Sequence, residues 1–234
     1  SDIREHARDS RFELVGFCED QVVVDSKDNQ VVETRAYPLD VYYIHAPECW
    51  DGWHPRCNNA PPTLELRDAW MAMEAIVGID GSAQRIGLSN VWPVQLLDII
   101  RFVDERKRRG EMDPPPRIPD VVQAFADPLS PNAKLRKVCA EHGIEFVSYS
   151  TLGTQHTMGG NGNPVLTHAT VLDLAHRHDR SVAEVVLSWA LQRDMSVIPR
   201  SSKPNHIQEL ANMLTQPPFL TELDLTAMDA MSLN

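Results

Sequence analysis

The sequence predicts an α/β fold built on a parallel sheet, and three observations lead to it. From Leu39 onward, short apolar runs of β type alternate with stretches of helical period, which is typical of successive βαβ units. The runs are continuously apolar, as strands buried on both faces are. No Gly-x-Gly-x-x-Gly loop follows any run. Its absence disfavours a doubly wound dinucleotide-binding fold, so we favour a parallel (β/α)8 barrel of TIM type.

The predicted elements follow from apolar spacing and from start and stop signals. Ser181 with Glu184 three residues later forms a capping-box pattern, and it fixes the start of one helix. The predicted strands are 41–44, 85–88, 121–125, 144–149 and 196–198. The predicted helices are 64–79, one from about Val94 that ends within the charged stretch 104–111, then 133–142, 165–178, 182–192, 204–214, and a short one opened by Thr221. A closed barrel of this type has eight strands, so we expect the barrel to be incomplete in this chain.

Residues 1–38 do not follow this alternation. Two β-type runs, 21–25 and 30–34, flank the turn-forming segment 26–29, and this predicts a β-hairpin. We therefore divide the chain into an N-terminal extension, 1–38, and a barrel portion, 39–234.

Composition narrows the function classes. Lys and Arg number 22 against 33 Asp and Glu, for a net charge of −11, which argues against nucleic-acid binding. No apolar window is long enough to span a membrane. Four cysteines in 234 residues make no disulfide framework. A reducing compartment, the cytoplasm or an organelle matrix, is therefore expected.

Two local clusters have simple interpretations. The spacing of His45, Cys49, His54 and Cys57 differs from the paired short chelates of zinc sites, so no metal is predicted. The basic run 105–109 is interpreted as a solvated helix end, where cations suit the helix dipole. The alternative is that the surrounding segment contacts a partner protein.

Each predicted strand brings a polar or aromatic residue to its carboxyl end, where parallel barrels carry their chemistry. These residues are His45, Ser89, Asn90, Gln123, Tyr149, Arg200 and Ser201.

Five segments carry a resemblance to a known family. In order along the chain they are 39–47, 85–90, 143–153, 188–192 and 197–202. They resemble the aldo-keto reductases over residues 39 to about 230. That family folds as a (β/α)8 barrel and transfers hydride from NADPH to a carbonyl group. The resemblance therefore implies an NADP cofactor and a small carbonyl substrate.

The resemblance implies roles for the strand-end residues. His45 matches the residue that orients the substrate carbonyl, and it is the single catalytic residue we predict. Ser89, Asn90 and Gln123 match the side chains that hold the nicotinamide carboxamide, a group that needs both donors and acceptors. Tyr149 matches the ring on which the nicotinamide stacks.

The adenosine end of the cofactor is implied by residues near the last strand. Arg200 and Ser201 match the cation and hydroxyl that bind the 2′-phosphate, which an Arg can bind bidentately. Glu209 matches an acid that contacts the adenine. Two positions depart from the family: His206 stands where a second basic residue is usual, and Leu210 where an Asn is expected.

The proton-donating Tyr of the family, with its Asp and Lys partners, has no matched residue in this chain. Three explanations stay open: a longer polypeptide, a separate polypeptide that supplies the first strands, or a scaffold without chemistry. The predicted function is an NADP(H)-linked carbonyl-reducing oxidoreductase that needs a missing N-terminal segment or a protein partner to complete the barrel. The alternative is a non-catalytic structural subunit of a larger assembly.

Overall fold

A computed structural model describes residues 23–24, 31–32, 38–47, 65–157, 160 and 162–233. Its strands are β1 (Val23–Val24), β2 (Val31–Val32), β3 (Leu39–Ile44), β4 (Ala83–Ser89), β5 (Val121–Phe125), β6 (Glu145–Tyr149) and β7 (Ser196–Val197). Its α-helices are α1 (Leu66–Ala75), α2 (Pro93–Arg108), α3 (Ala133–Glu141), α4 (Ala169–His178), α5 (Val182–Gln192), α6 (Pro204–Met213) and α7 (Glu222–Asp229). No helix among these residues is both long and apolar enough to cross a membrane.

Two short strands lie within the predicted N-terminal hairpin. β1 pairs antiparallel with β2, with Val23 opposite Val32 and Val24 opposite Val31. The remaining positions of this predicted hairpin lie outside the described residues. The boundary at residue 38 stays a prediction.

The predicted parallel α/β fold is confirmed. The larger sheet has the strand order β3-β4-β5-β6-β7, which follows the chain. Within the described residues this sheet has five strands, where a closed (β/α)8 barrel has eight. The chain divides into two compact units, Ser1–Val121 and Val122–Asn234.

In the first unit, β3 and β4 run parallel, with Tyr43 opposite Gly87. A Cβ at Gly87 would lie 2.6 Å from the carbonyl oxygen of Val121 and 2.7 Å from Cε1 of Tyr43. Both distances are far below van der Waals contact, so this approach of β4 to its neighbours requires glycine. The core beneath the sheet is apolar and comprises Trp70, Met73, Ile76, Ile86, Leu88, Leu96, Ile99 and Val103.

The basic run at the end of α2 is not fully solvated, so that interpretation is wrong for Arg106. This side chain is only 2% exposed and is paired with the fully buried Glu74 of α1. Its Nε also donates to Glu111 at 3.0 Å, and its Nη2 donates to the carbonyl oxygen of Pro114 at 2.7 Å. The guanidinium thus joins two helices to the segment that follows α2.

Glu74 completes this connection. Its Oε1 accepts the backbone N–H of Arg117 at 2.8 Å, and the indole N–H of Trp70 donates to the carbonyl oxygen of Arg117 at 2.9 Å. Burial raises the pKa of Glu74, while the Arg117 N–H and the Arg106 guanidinium oppose that rise. The carboxylate is therefore costly to bury without its partners.

In the second unit, β6 and β7 are parallel, with Val147 opposite Ser196. The capping box of α5 is confirmed, because Ser181 Oγ accepts the N–H of Glu184 at 3.1 Å and Glu184 accepts the N–H of Ser181 at 2.9 Å. The core of this unit includes Val122, Leu135, Phe146, Leu174, Val186, Leu187, Trp189 and Met228.

One helix boundary was predicted wrongly. The apolar spacing from Val165 predicted a helix, but α4 begins at Ala169. The Oδ1 atom of Asn163 accepts the backbone N–H groups of Val165 and Leu166, at 3.1 and 3.2 Å. These local bonds stabilise a turn in place of a first helical turn.

We predict that Arg106→Ala lowers the free energy of unfolding by about 3–5 kcal/mol, because it leaves the Glu74 carboxylate buried without its partner. Urea unfolding measures this cost. Arg67→Ala is the matched control, since its ion pair with Asp98 (Nε to Oδ2, 2.8 Å) lies at the surface and is worth about 1 kcal/mol or less. Equal small losses in the two variants would contradict the prediction.

Candidate functional site

The predicted site residues fall into two groups, three in the first unit and five in the second. In the first unit, His45 directly follows β3 and Ser89 ends β4. Ile44 pairs with Leu88 in the parallel register, so these two strands end side by side. His45 is exposed and Ser89 is 1% exposed.

Asn90 connects these two strand ends. Its backbone has a φ of 57°, a left-handed conformation that Asn tolerates better than most residues. Its Nδ2 donates to the carbonyl oxygen of His45 at 2.9 Å and to the hydroxyl of Ser89 at 3.2 Å. The structure therefore brings the three predicted residues of this unit together, and it gives Asn90 a positioning role that sequence reasoning missed.

In the second unit, Gln123 and Tyr149 lie on neighbouring strands. Gln123 and Phe125 alternate along β5 and share its half-buried face. The ring of Phe125 lies 6.2 Å from that of Tyr149, centroid to centroid, at an interplanar angle of 43°. Burial raises the pKa of Tyr149, so the ring is a neutral, half-buried aromatic surface at neutral pH. Such a surface can accept a flat heterocycle.

Sequence reasoning also missed a buried carboxylate that follows β5. Asp127 follows β5, is fully buried, and accepts Nε2 of His156 at 2.8 Å. Its other oxygen accepts the N–H groups of Leu129 and Ser130, each at 2.8 Å. Burial raises the pKa of Asp127, while the N–H of Ser130 and the His156 contact oppose the rise. A carboxylate in this arrangement fixes the orientation of the imidazole, which connects the loop after β6 to the end of β5.

The last three predicted residues line one cavity of about 330 Å³ at the start of α6, which we call the α6 cavity. Arg200 and Ser201 contribute from the segment between β7 and α6, and Glu209 from α6 itself. The other lining residues are Leu152, Leu166, Ser181, Val182, Ala183, Pro199, His206 and Leu210. Arg200, Ser201 and Glu209 thus line the same cavity, and their roles stay predictions.

Local bonds orient the polar side chains of the α6 cavity. Ser201 Oγ accepts the backbone N–H of Lys203 at 3.1 Å, which leaves the hydroxyl proton of Ser201 for another acceptor. The hydroxyl of Ser181 donates to the carboxylate of Glu209. The sequence predicted Ser181 only as a helix cap. Its place in this cavity was missed because Ser181 and Glu209 are 28 residues apart in the chain.

The cavity also has two features that favour an anion. Helix α6 begins without a side-chain cap hydrogen bond, so its first backbone N–H groups are directed toward this end. Among the described residues, none of the ion pairs includes Arg200. A neighbouring cavity of about 460 Å³ shares Arg200, Pro199 and Leu152 with the first, so Arg200 lies between two spaces that an elongated ligand could occupy.

No metal site was predicted at His45, Cys49, His54 and Cys57, and the structure describes only part of this segment. Cys49, His54 and Cys57 lie outside the described residues. Within the described part of the chain, no group of three or more His, Cys, Asp or Glu side chains is placed to hold a metal ion.

Comparison with known proteins extends these observations. A model of the aldo/keto reductase family matches residues 21–232. Aldo-keto reductase family 1 member A1 of Sus scrofa is 29% identical over 204 residues, which are 84% of this chain and 58% of that protein. The Homo sapiens protein of the same name is 32% identical over 177 residues, 72% of this chain and 50% of that protein.

A third relative is named for a dehydrogenase activity. Glycerol 2-dehydrogenase (NADP(+)) of Hypocrea jecorina is 31% identical over 174 residues, which are 74% of this chain and 49% of that protein. The chain therefore spans about half to three-fifths of the length of the relatives it matches.

We predict that Asn90→Asp lowers the free energy of unfolding by about 1–3 kcal/mol, because it keeps the shape of the side chain but replaces the donor that the His45 carbonyl requires. Urea unfolding measures the loss. Asn212→Asp introduces the same charge at an exposed position of α6 and is expected to change stability by about 0.5 kcal/mol or less. If both variants were equally stable, Asn90 would not hold the strand ends.

Proposed function

Because the chain belongs to the aldo/keto reductase family, we propose that it carries the cofactor-binding part of an NADP(H)-linked, carbonyl-reducing oxidoreductase. The α6 cavity is the observation that carries this proposal. Arg200, Ser201 and Glu209 line this one space, and the resemblance assigns the first two to the adenosine 2′-phosphate and Glu209 to the adenine.

The chemistry of the cavity fits a phosphate. An Arg guanidinium can donate two parallel hydrogen bonds to phosphate oxygens, and Arg200 has no carboxylate partner among the described residues. Ser201 has a hydroxyl proton to donate, because its oxygen already accepts the Lys203 N–H. The uncapped start of α6 adds backbone N–H groups. A cation, a hydroxyl and a helix N-terminus thus converge, and together they favour a dianion over a neutral ribose hydroxyl.

The remaining predicted residues are proposed for the nicotinamide end and the substrate. Ser89, Asn90 and Gln123 would hold the carboxamide, and the half-buried ring of Tyr149 would stack against the nicotinamide. His45, exposed after β3, would orient the carbonyl of a small substrate. When bound, NADPH supplies the hydride for carbonyl reduction. The roles rest on the family resemblance of these positions. The placement of His45, Ser89, Asn90 and Tyr149 at strand ends supports them, whereas Gln123 lies within β5.

We predict that Arg200→Ala weakens NADPH binding about tenfold or more and NADH binding by about twofold or less. The guanidinium loses a charge-assisted bond only when a 2′-phosphate is present. Titration of cofactor fluorescence measures both dissociation constants.

Arg101→Ala is the matched control for this experiment, since Arg101 is an exposed arginine of α2. It should leave the affinities for both cofactors unchanged. A loss of equal size for NADPH and NADH in Arg200→Ala would contradict the assignment of the 2′-phosphate site.

The sequence has no residue that matches the proton-donating Tyr of the family. Its four tyrosines are Tyr37, Tyr42, Tyr43 and Tyr149, and none matches the proton donor of the family. We propose that further strands and the proton donor come from another segment of the same polypeptide or from a protein partner. The alternative function is a non-catalytic structural subunit of an assembly.

We predict that the 234-residue chain alone reduces small aldehydes with negligible turnover, because general acid catalysis typically contributes about 10²–10⁴-fold to such steps. NADPH consumption with a panel of small aldehydes measures this, first on the chain alone and then with its native partners. Robust turnover by the chain alone, abolished by His45→Ala, would contradict the prediction. Turnover only with partners supports a divided enzyme, and none in either case supports the structural subunit.

A further inference from the structure

We propose that a groove along helix α3 is a binding site for a small organic monocarboxylate, and that Arg136 is the side chain that binds the carboxylate group. We call this space the α3 groove, and its volume is about 380 Å³. None of the residues assigned to the cofactor or to the carbonyl substrate lines it. The inference therefore goes beyond the proposed function and does not depend on it.

The α3 groove lies at the beginning of two strands of the second unit. Its lining includes Glu145, the first residue of β6, and Asp194, which lies two residues before β7. Tyr149 ends β6 and Arg200 follows β7. The first and last residues of β6 are about 13 Å apart, because each residue of an extended strand advances the chain by about 3.3 Å. The α3 groove and the α6 cavity share no lining residue, so the two are separate spaces.

Arg136 is a half-buried cation that bonds only to backbone carbonyl groups. Its Nη2 donates to the carbonyl oxygen of Arg193 at 2.8 Å, and its Nη1 donates to that of Pro131 at 3.4 Å. None of the ion pairs in the described part of the chain includes Arg136. Burial lowers the pKa of Arg136, and the charge of Asp229 opposes that change. The guanidinium is thus partly removed from water without an anion in contact with it.

The other arginines of similar burial differ from Arg136 in this respect. Within the described residues, each further arginine that is buried or half-buried pairs with a carboxylate, namely Arg106, Arg117, Arg180 and Arg193. The carboxylate of Asp229 accepts two N–H groups of Arg193 and the indole N–H of Trp189, so it is already occupied. A cation that leaves water is costly unless an anion compensates it. An external anion in the α3 groove would supply the partner that Arg136 lacks.

The other charges of the lining favour a ligand with a single negative charge. Lys137 adds a second cation, and its ion pair with Glu141, at 3.8 Å, lies at the surface and is weak. Glu145 and Asp194 line the same groove, so they would repel a second negative charge on the ligand.

The floor of the α3 groove accepts an apolar group beside the carboxylate. Cys139, Ile144 and Phe146 are 1%, 5% and 4% exposed, and all three line the groove. Burial raises the pKa of Cys139 to about 12, so its thiol is neutral and does not repel an anion. A concave site of this volume, with an apolar floor and few polar groups, is typical of small-molecule binding. The lining therefore fits a carboxylate that carries a compact hydrocarbon or aromatic group.

The experiment titrates the isotope-labelled 234-residue chain with 2-naphthoate and with 2-naphthamide, which has the same ring system and no charge. Proton–nitrogen NMR spectra at neutral pH follow the backbone amides and the arginine Nε–H groups. The signals that shift should come from α3 and from the beginning of β6. The native chain should bind 2-naphthoate about tenfold more tightly than 2-naphthamide, because a hydrogen bond between charged groups is stronger than one to a neutral acceptor.

Three variants test the site. Arg136→Gln should weaken 2-naphthoate binding about tenfold and change 2-naphthamide binding little. Lys134→Gln is the matched control, because it removes the same charge from an exposed position of α3 that does not line the groove, and it should leave both affinities unchanged. Ala140→Trp, at an exposed lining position, keeps the hydrogen bonds of Arg136 but fills the groove, and it should weaken the binding of both probes.

Several outcomes would overturn the proposal. They are equal affinities of the native chain for the two probes, no binding of either probe, and an Arg136→Gln chain that keeps the native amide spectrum and the native affinity for 2-naphthoate. Binding of 2-naphthoate that is lost in Arg200→Ala and kept in Arg136→Gln would place the ligand in the α6 cavity and would also overturn it. If Arg136→Gln does not fold, Ala140→Trp decides, since unchanged binding of 2-naphthoate in that variant excludes the α3 groove.

Discussion

Parallel strands impose the constraint on which the rest of this structure depends. Two parallel neighbours cannot be joined by a tight turn, so the chain must cross back to the start of the next strand, usually through a helix. Each crossover leaves a strand end followed by a loop or a helix start, and the polar residues concentrate at these points. In the first unit this places His45 beside Ser89 and Asn90. In the second, β7 leads through Arg200 and Ser201 directly into α6.

How far the sequence predicts this structure depends on how local the determining interactions are. Strand β5 was predicted with its observed bounds, Val121–Phe125, because a β-branched apolar run sufficed to identify it. Helix α5 was likewise predicted from a capping box that involves only Ser181 and Glu184. The start of α4 was missed because the side chain of Asn163 competes with the helix for backbone N–H groups. The spacing of apolar residues gives no information about that competition.

Two interactions that sequence reasoning missed, one in the core and one in the candidate site, join residues that are far apart in the chain. Arg106 and Glu74 are 32 residues apart, and Ser181 and Glu209 are 28 apart. No spacing rule connects such pairs, because only the folded chain determines which helix faces meet. By contrast, the grouping of Arg200, Ser201 and Glu209 was predicted from the family resemblance, and the α6 cavity contains all three.

Arg106 and Arg200 differ in burial, and this difference distinguishes an arginine that stabilises the fold from one that is available to a ligand. Arg106 is 2% exposed and its guanidinium bonds to Glu74, Glu111 and a backbone carbonyl, since a buried cation must have its partners within the protein. Arg200 is exposed, beside a cavity, and has no ion pair among the described residues. In a chain with a net charge of −11, an arginine without a carboxylate partner is a stronger indication of anion binding than it would be in a basic protein.

The bond from Ser181 to Glu209 adds a constraint to this electrostatic arrangement. Left to rotate freely, the Glu209 carboxylate could pair with Arg200 across the same cavity and compete with an incoming phosphate. The Ser181 hydroxyl, fixed at the start of α5 by the N–H of Glu184, instead holds the carboxylate against the wall formed by α5. The bond to Ser181 thereby keeps the carboxylate from neutralising the guanidinium within the lining of the α6 cavity.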